Sequence, residues 1–236
     1  MQPANTKNQN TFLKENNYLI LKNFVDKNLC NFLYDYVKLS NIRLNYINEK
    51  CGLGNYDETR YGTYRDEMAL GDYSQYGDLI FDNLLLYIKN NLEIETGLKL
   101  TPTYSYNRLY TTNTELKKHT DRESCELSIT LNLGYDVSNL KSNYIWPIYL
   151  KTVDKKEIPV ILDAGDVLVY RGYKLEHWRE PFEGINQAQL FLHYNEEDSL
   201  FSLEKDGRPE YGLPNSLKLK NNFDINPYFQ LKEKIL

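Results

Sequence analysis

Only three histidines occur in the 236 residues, and two of them stand where a metal ion could be held. His119 lies in Leu116-Lys-Lys-His119-Thr-Asp121. Successive side chains of a β-strand point to opposite faces, so residues i and i+2 share one. In a strand, His119 and Asp121 therefore present an imidazole and a carboxylate side by side. On a helix the same spacing points them nearly apart. His177 follows in Lys174-Leu-Glu-His177-Trp-Arg179, after a Gly165-Asp166 turn and a further strand. Two imidazoles and one carboxylate on one face of a metal leave the opposite face open, a donor set that suits iron(II) in oxygen-activating chemistry. The imidazoles keep the metal in place and the hard carboxylate offsets part of its charge. The open positions accept a chelating cosubstrate and then dioxygen. An H-x-D triplet alone is common, and a lone histidine is more often structural than a ligand. What singles out this triplet is its company: a Tyr-rich strand before it and a second histidine 58 positions on, near the end of a β-rich region.

Such side chains need a β framework, and the sequence predicts one after Gly97. Runs of β-formers separated by turns give strands near 102–111, 116–121, 125–133, 145–151, 158–162, 166–171, 175–180 and 187–195. Short strands at this spacing imply a jelly roll or related β-sandwich. Within 125–133, Cys125, Leu127, Ile129, Leu131 and Leu133 share one face, and Glu126, Ser128, Thr130 and Asn132 the other. The apolar face suits packing on helices and the small polar face suits lining a site. Ahead of this region, residues 1–16 are polar and expected to be flexible, and Tyr18–Phe24 reads as a short strand. Asp26 is an N-cap candidate for a helix over 27–39, where Leu29, Phe32, Leu33, Tyr36 and Val37 recur at helical spacing. Residues 40–75 show no clean period and read as a long irregular segment of the kind that covers a site. A second helix fits 76–96 through Leu79, Leu84, Leu86, Ile88 and Leu92. The region 196–236 holds the loop Gly207-Arg-Pro-Glu-Tyr-Gly-Leu-Pro214 and a polar tail. With no repeat or linker in view, 1–236 is expected to be one domain: a lead-in and lid segment over 17–97, then a core over 98–195.

The net charge of −5 and a pI near 5.4 disfavour a nucleic-acid backbone as partner. Three cysteines without a CxxC pair build neither a disulfide framework nor a zinc site, and suit reduced thiols. No apolar run reaches the ~18 residues of a membrane span, and the N-terminal decapeptide has no apolar h-region. The expectation is a cytoplasmic protein. The 21 tyrosines spread over the whole chain and fit a compositional bias better than a dedicated binding surface.

At the level of motifs the chain resembles the 2-oxoglutarate/Fe(II)-dependent dioxygenase superfamily, and in particular its prolyl-hydroxylase-like branch. The resemblance rests on Tyr106-Asn-Arg108-Leu-Tyr110, Leu116-Lys-Lys-His119-Thr-Asp121-Arg122 and Cys125-Glu-Leu-Ser128-Ile-Thr130-Leu. It continues through Trp146-Pro-Ile-Tyr149, Ala164-Gly165-Asp166, Tyr170-Arg171-Gly172, His177-Trp-Arg179 and Gln189-Leu-Phe-Leu-His193-Tyr194. It covers about residues 100–195. It implies a double-stranded β-helix (cupin-like jelly roll) with N-terminal helices packed on one sheet. It implies Fe(II) on His119, Asp121 and His177, with 2-oxoglutarate and dioxygen as cosubstrates.

In that family a basic residue on the last barrel strand commonly anchors the far carboxylate of 2-oxoglutarate. Here Gly184-Ile-Asn-Gln187-Ala-Gln189 holds no Lys or Arg. Arginine suits the task because its planar fork matches a carboxylate. Strand parity with His177 makes Arg179 the first replacement. Arg108 comes second, sharing a face with Tyr106 and Tyr110, since family members often bond this carboxylate through a tyrosine there. Arg171 is third, and Asn132 is a further candidate neighbour. Arg122 and Glu123 follow the triad directly and suit a solvated loop, with substrate contact the alternative, and His193 suits packing or bonding within the last strand rather than metal binding. The expected reaction is hydroxylation of an unactivated C–H bond in a small-molecule or peptide substrate, with no catalytic side chain beyond the ligands. Asp121 argues against halogenation, which needs its coordination position free. The alternatives are a cupin-type iron enzyme that does not use 2-oxoglutarate and a non-catalytic jelly-roll binding module.

Overall fold

The computed structural model describes residues 6–52, 54–201 and 206–214. The chain opens with α1 (Thr6–Asn16), β1 (Tyr18–Leu21), α2 (Lys27–Cys51), α3 (Glu58–Tyr61), β2 (Tyr73–Tyr76) and α4 (Leu79–Thr96). Then follow β3 (Leu100–Thr111), β4 (Leu116–His119), β5 (Leu127–Asp136), β6 (Ile148–Lys151) and β7 (Glu157–Val160). The last strands are β8 (Val167–Tyr170), β9 (His177–Arg179) and β10 (Asn186–Glu196).

Caps and one apolar stripe each set the two long helices. The Asp26 carboxylate accepts from the backbone N–H groups of Asn28 and Leu29, donors that a first turn leaves orphaned. Asp78 caps α4 in the same way through the N–H of Ile80. Cys30, Leu33, Val37, Ser40 and Leu44 form the buried side of α2, and Phe81, Leu84, Leu85, Ile88 and Leu92 that of α4. Phe32 on α2 and Leu79 and Leu86 on α4, expected inside, are exposed. The true stripes are offset from the readings made on apolar content alone.

Every strand pairing is antiparallel. The larger sheet runs β1-β8-β5-β10-β3-β2 and the smaller β4-β9-β6-β7. All eight strands expected after Gly97 are present. In β5, Leu127, Ile129, Leu131 and Leu133 are buried in one cluster with the stripes of α2 and α4, as the alternation predicts. Cys125 does not join that row. It precedes β5, and its sulfur meets the Arg122 Nε at 3.3 Å and the Tyr104 hydroxyl at 3.4 Å. Between the two sheets Ile148, Leu150, Leu168, Tyr170 and Leu175 close a second core. This is the expected jelly roll with helices on one sheet.

The N-terminal region differs from expectation in three places. Residues 6–16 form α1, held by the buried Leu13 and by the Asn10 amide donating to Thr96 O at 2.6 Å. A helix this polar owes its stability to docking, which local sequence does not display. The first long helix runs to Cys51, since Ser40 and Leu44 continue its stripe past residue 39. The stretch 40–75 therefore keeps an irregular course mainly over 62–72. β2 forms at the end of the stretch expected to be irregular, because pairing with β3 supplies its hydrogen bonds, and the second long helix starts at Leu79 instead of residue 76. Residues 1–5 and the tail 215–236 lie outside the described residues.

The loop after β10 is clamped to the body. Arg208 is buried, and its guanidinium meets Asp82 of α4 at 2.7 Å and Asp206 at 2.5 Å. Asp82 also accepts from the Ser105 hydroxyl and from the Gly212 N–H. Asp206 in turn accepts from the Tyr76 hydroxyl.

Candidate metal centre

Cross-strand register brings the ligand candidates together. β4 and β9 pair with His119 opposite His177, and their rings lie 4.2 Å apart. Asp121 sits just past the end of β4, its N–H donating to Gly172 O at 3.0 Å. Asp121 Oδ1 then lies 3.7 Å from His119 Nε2 and 3.6 Å from His177 Nε2. One donor atom from each residue falls within 4.8 Å of the others. The tautomers follow from the outer side of each ring. His119 Nδ1 faces Lys117 O at 2.7 Å, and His177 Nδ1 faces Leu175 O at 3.0 Å. A carbonyl only accepts, so each Nδ1 carries the proton and each Nε2 offers its lone pair inward.

The electrostatics agree with ligation. Burial lowers the pKa of His177, with Asp121 opposing. Burial alone would raise the Asp121 carboxyl, but His177, His193, the Ser128 hydroxyl and His119 together hold it below the usual carboxylate value. Ligands must be neutral imidazole and ionised carboxylate, and these are the forms favoured at His177 and Asp121. The three residues line one side of a cavity of about 260 Å³, faced by Tyr104, Tyr106, Arg108, Phe191 and, from the irregular 62–72 stretch, Asp66 and Met68.

No protein-family model matches the sequence, and no curated protein matches it. Solved structures do match the fold. The non-haem α-ketoglutarate-dependent epimerase SnoN from nogalamycin biosynthesis superposes with a TM-score of 0.60 at 11% identity, over 94% of this chain and 98% of its own. A Pseudomonas putida prolyl-4-hydroxylase gives 0.57 at 15% identity, over 81% of this chain and 98% of its own. This chain has the 2-oxoglutarate/Fe(II) oxygenase fold. HygX from Streptomyces hygroscopicus, solved with nickel, 2-oxoglutarate and hygromycin B bound, gives 0.57 at 10% identity, over 81% and 88%.

Within this oxygenase fold the arginines separate by what already holds them. Arg171 pairs with Glu196 at 2.6 Å. Arg108 faces the cavity, but its Nε and Nη2 donate to Asp66 Oδ2 and its Nη1 donates to the Tyr110 hydroxyl at 2.8 Å. Tyr106 donates to the same Asp66 oxygen. Arg179 is different. It is 2% exposed, its guanidinium lies 4.6 Å over the Trp146 ring, and Nη1 donates to Trp146 O at 2.9 Å. Its Nε and Nη2 have no partner among the described residues. Burial pushes its pKa down to about 10, although Tyr110 and Tyr170 face it. A buried cation with one open edge is the complement of a carboxylate. On β10, Gln187 and Gln189 bond to each other, and Gln189 bonds onward to Thr130. Asn132, expected beside the cosubstrate, donates to Leu162 O at 2.6 Å and, like Arg179 and Tyr110, does not line the cavity itself. Arg122 and its neighbour Glu123 stay outside that lining, Arg122 lying 5.0 Å over the Tyr104 ring.

Three contributors were missed from sequence. Ser128 donates to Asp121 Oδ2 at 2.6 Å. Its place on the polar face of β5 was the available signal. A Cβ on Gly172 would stand 1.9 Å from Asp121 Oδ2, so only glycine lets the carboxylate sit there. Asp66 reaches Arg108 across 42 residues of chain from an aperiodic stretch, and no local pattern announces it.

Proposed function

We propose that this protein is a non-haem Fe(II)- and 2-oxoglutarate-dependent dioxygenase that hydroxylates an unactivated C–H bond in a small-molecule or peptide substrate. The observation that carries the reading is the open guanidinium edge of Arg179, two residues along β9 from His177. Parity makes the two side chains point the same way, so Arg179, which is buried behind the cavity lining, supplies a cation on the same strand as the metal ligand His177. Iron and 2-oxoglutarate, when bound, would supply oxidative decarboxylation coupled to hydroxylation.

The chain's own groups bind, orient and exclude water. His119, Asp121 and His177 hold the metal from one side and leave the cavity side for ligands. Arg179 takes the far carboxylate, with the Tyr110 hydroxyl as a second donor. That hydroxyl accepts from Arg108, which leaves its own proton free to be donated. Tyr106 and Phe191 wall the cavity with ring surface. No side chain is required as acid, base or nucleophile. Cys30, Cys51 and Cys125 are unpaired, which supports a reducing, cytoplasmic setting. No helix among the described residues is long and apolar enough to cross a membrane.

The test is anaerobic reconstitution with Fe(II) followed by 2-oxoglutarate, watching for the weak visible charge-transfer band of the chelate. The expected result is a band in the wild type that disappears in His119→Ala. Tight iron binding without a band would instead indicate a cupin-type iron enzyme with another cosubstrate.

A further inference from the structure

The two oxygens of Asp121 have different surroundings. Oδ1 faces the Nε2 atoms of His119 and His177. Oδ2 turns away, into a niche bounded by Ser128 and the bare backbone of Gly172. The Ser128 hydroxyl has one proton, and the 2.6 Å contact to the carboxylate takes it. Ser128 Oγ also lies 3.3 Å from His193 Nδ1. With its proton spent on Asp121, the hydroxyl can only accept there, so His193 donates from Nδ1. Register supports the chain of bonds, because β10 sets His193 directly opposite Ser128 on β5. The His193 ring is held flat against Tyr104, with centroids 4.3 Å apart and planes 22° from parallel. The resulting chain runs from His193 Nδ1–H to Ser128 Oγ–H to Asp121 Oδ2.

We propose that Ser128 and His193 are positioning residues that keep Asp121 bound to the metal through Oδ1 alone. This rests on the metal-centre reading above and goes beyond it. A carboxylate bound through both oxygens occupies one more coordination position than one bound through a single oxygen. Tying Oδ2 to Ser128 preserves that position for the chelating cosubstrate or dioxygen. His193, the third histidine, then acts two hydrogen bonds away from the ligand Asp121 rather than on the metal. It polarises the serine hydroxyl, which strengthens its hold on the carboxylate. Gly172 completes the niche by leaving Oδ2 room to sit outward.

The test uses Co(II) as probe under anaerobic conditions, since its visible bands report coordination number. Ser128→Ala is expected to weaken Co(II) and Fe(II) binding about 10- to 100-fold, the usual cost of losing a partner that orients a ligand. Its Co(II) bands should shift toward a higher coordination number. Ser128→Thr, which keeps the hydroxyl, should restore both. His193→Phe keeps a ring against Tyr104 but removes the donor, and should move the bands in the same direction. His193→Asn, with an amide N–H near the Nδ1 position, should move them less. Wild-type affinity and an unchanged spectrum in Ser128→Ala would overturn the proposal. So would equal losses in Ser128→Ala and Ser128→Thr accompanied by a lower melting temperature of the metal-free protein, which would mark a packing role. Failure of the wild type to bind either metal would overturn the metal centre itself, a result distinct from both.

Discussion

Replacing Arg179 by methionine should move two properties in opposite directions. In the wild type, Nε and Nη2 form one edge of a planar cation in a dry setting, and neither has a partner among the described residues. The far carboxylate of 2-oxoglutarate would accept from both. Two hydrogen bonds to a charged group, at about 1.5–3 kcal/mol each, give roughly 3–6 kcal/mol. Water entering the truncated site recovers part of this, so the lower bound is the prudent figure. It corresponds to about 100-fold weaker 2-oxoglutarate binding at 1.4 kcal/mol per decade. Without ligand the balance reverses. The buried guanidinium then has only the Trp146 carbonyl and ring to offset its desolvation. Replacing even paired buried charges by well-packed apolar residues is often neutral or stabilising by about 1–4 kcal/mol, and Arg179 has less to offset its burial than a pair does, so metal-free Arg179→Met should melt higher than the wild type. The first effect is read by titrating the anaerobic Fe(II) protein with 2-oxoglutarate and following the visible band, the second by calorimetry. A variant that melts lower and binds 2-oxoglutarate as well as the wild type would refute the reasoning. Arg179 would then be a structural cation, and the anchor would have to be Arg108 released from Asp66.

The Asp66 latch gives a pH signature. Burial opposes ionisation of Asp66, but Arg108, Tyr106 and the Met68 N–H outweigh it and leave the carboxyl below its ordinary value. A depressed folded-state pKa contributes stability above the unfolded value, about 3.9, that is lost as pH falls through the folded one. The melting-temperature gap between wild type and Asp66→Asn should therefore be widest above about pH 4 and close in stronger acid; a gap that widened with acid would contradict the ion pair. Arg208→Ala strips Asp82 and Asp206 of their buried cation. Urea unfolding should register a loss of about 3–5 kcal/mol, and a loss below about 1 kcal/mol would show the clamp to be a surface ion pair in energetic terms.

What the sequence displays is what period and parity control. The β5 row of Leu127, Ile129, Leu131 and Leu133 alternates cleanly, and it is buried against the helices as read. His119 and Asp121 converge because two residues restore the same face, even though β4 ends between them. Arg179 is buried as His177 is, but so is Trp178 between them, so burial does not by itself display the parity there. What stays hidden depends on contacts between distant segments. α1 carries little apolar signal beyond Phe12 and Leu13 and is helical because Leu13 and Asn10 find α4. β2 is four residues of Tyr, Ser and Gln with no alternation, and becomes a strand by pairing with β3. Asp66 and Arg108 meet across a loop whose conformation no short-range propensity sets.

The Arg208 clamp carries a consequence for how the molecule is assembled during synthesis. Translation delivers His119 and Asp121 first, His177 later and His193 of β10 later still, so the metal floor and its wall can be joined while the clamp is still inside the ribosome. Until Arg208 emerges, Asp82 sits in α4 without its cation, and Tyr76 lacks the carboxylate that fixes its hydroxyl. Tyr76 stacks on Tyr104, which stacks on His193. The last described segment to leave the ribosome is thus the one that locks the aromatic side of the cavity. A chain truncated before residue 208 would carry a complete set of ligands in a cavity that has not been fastened shut.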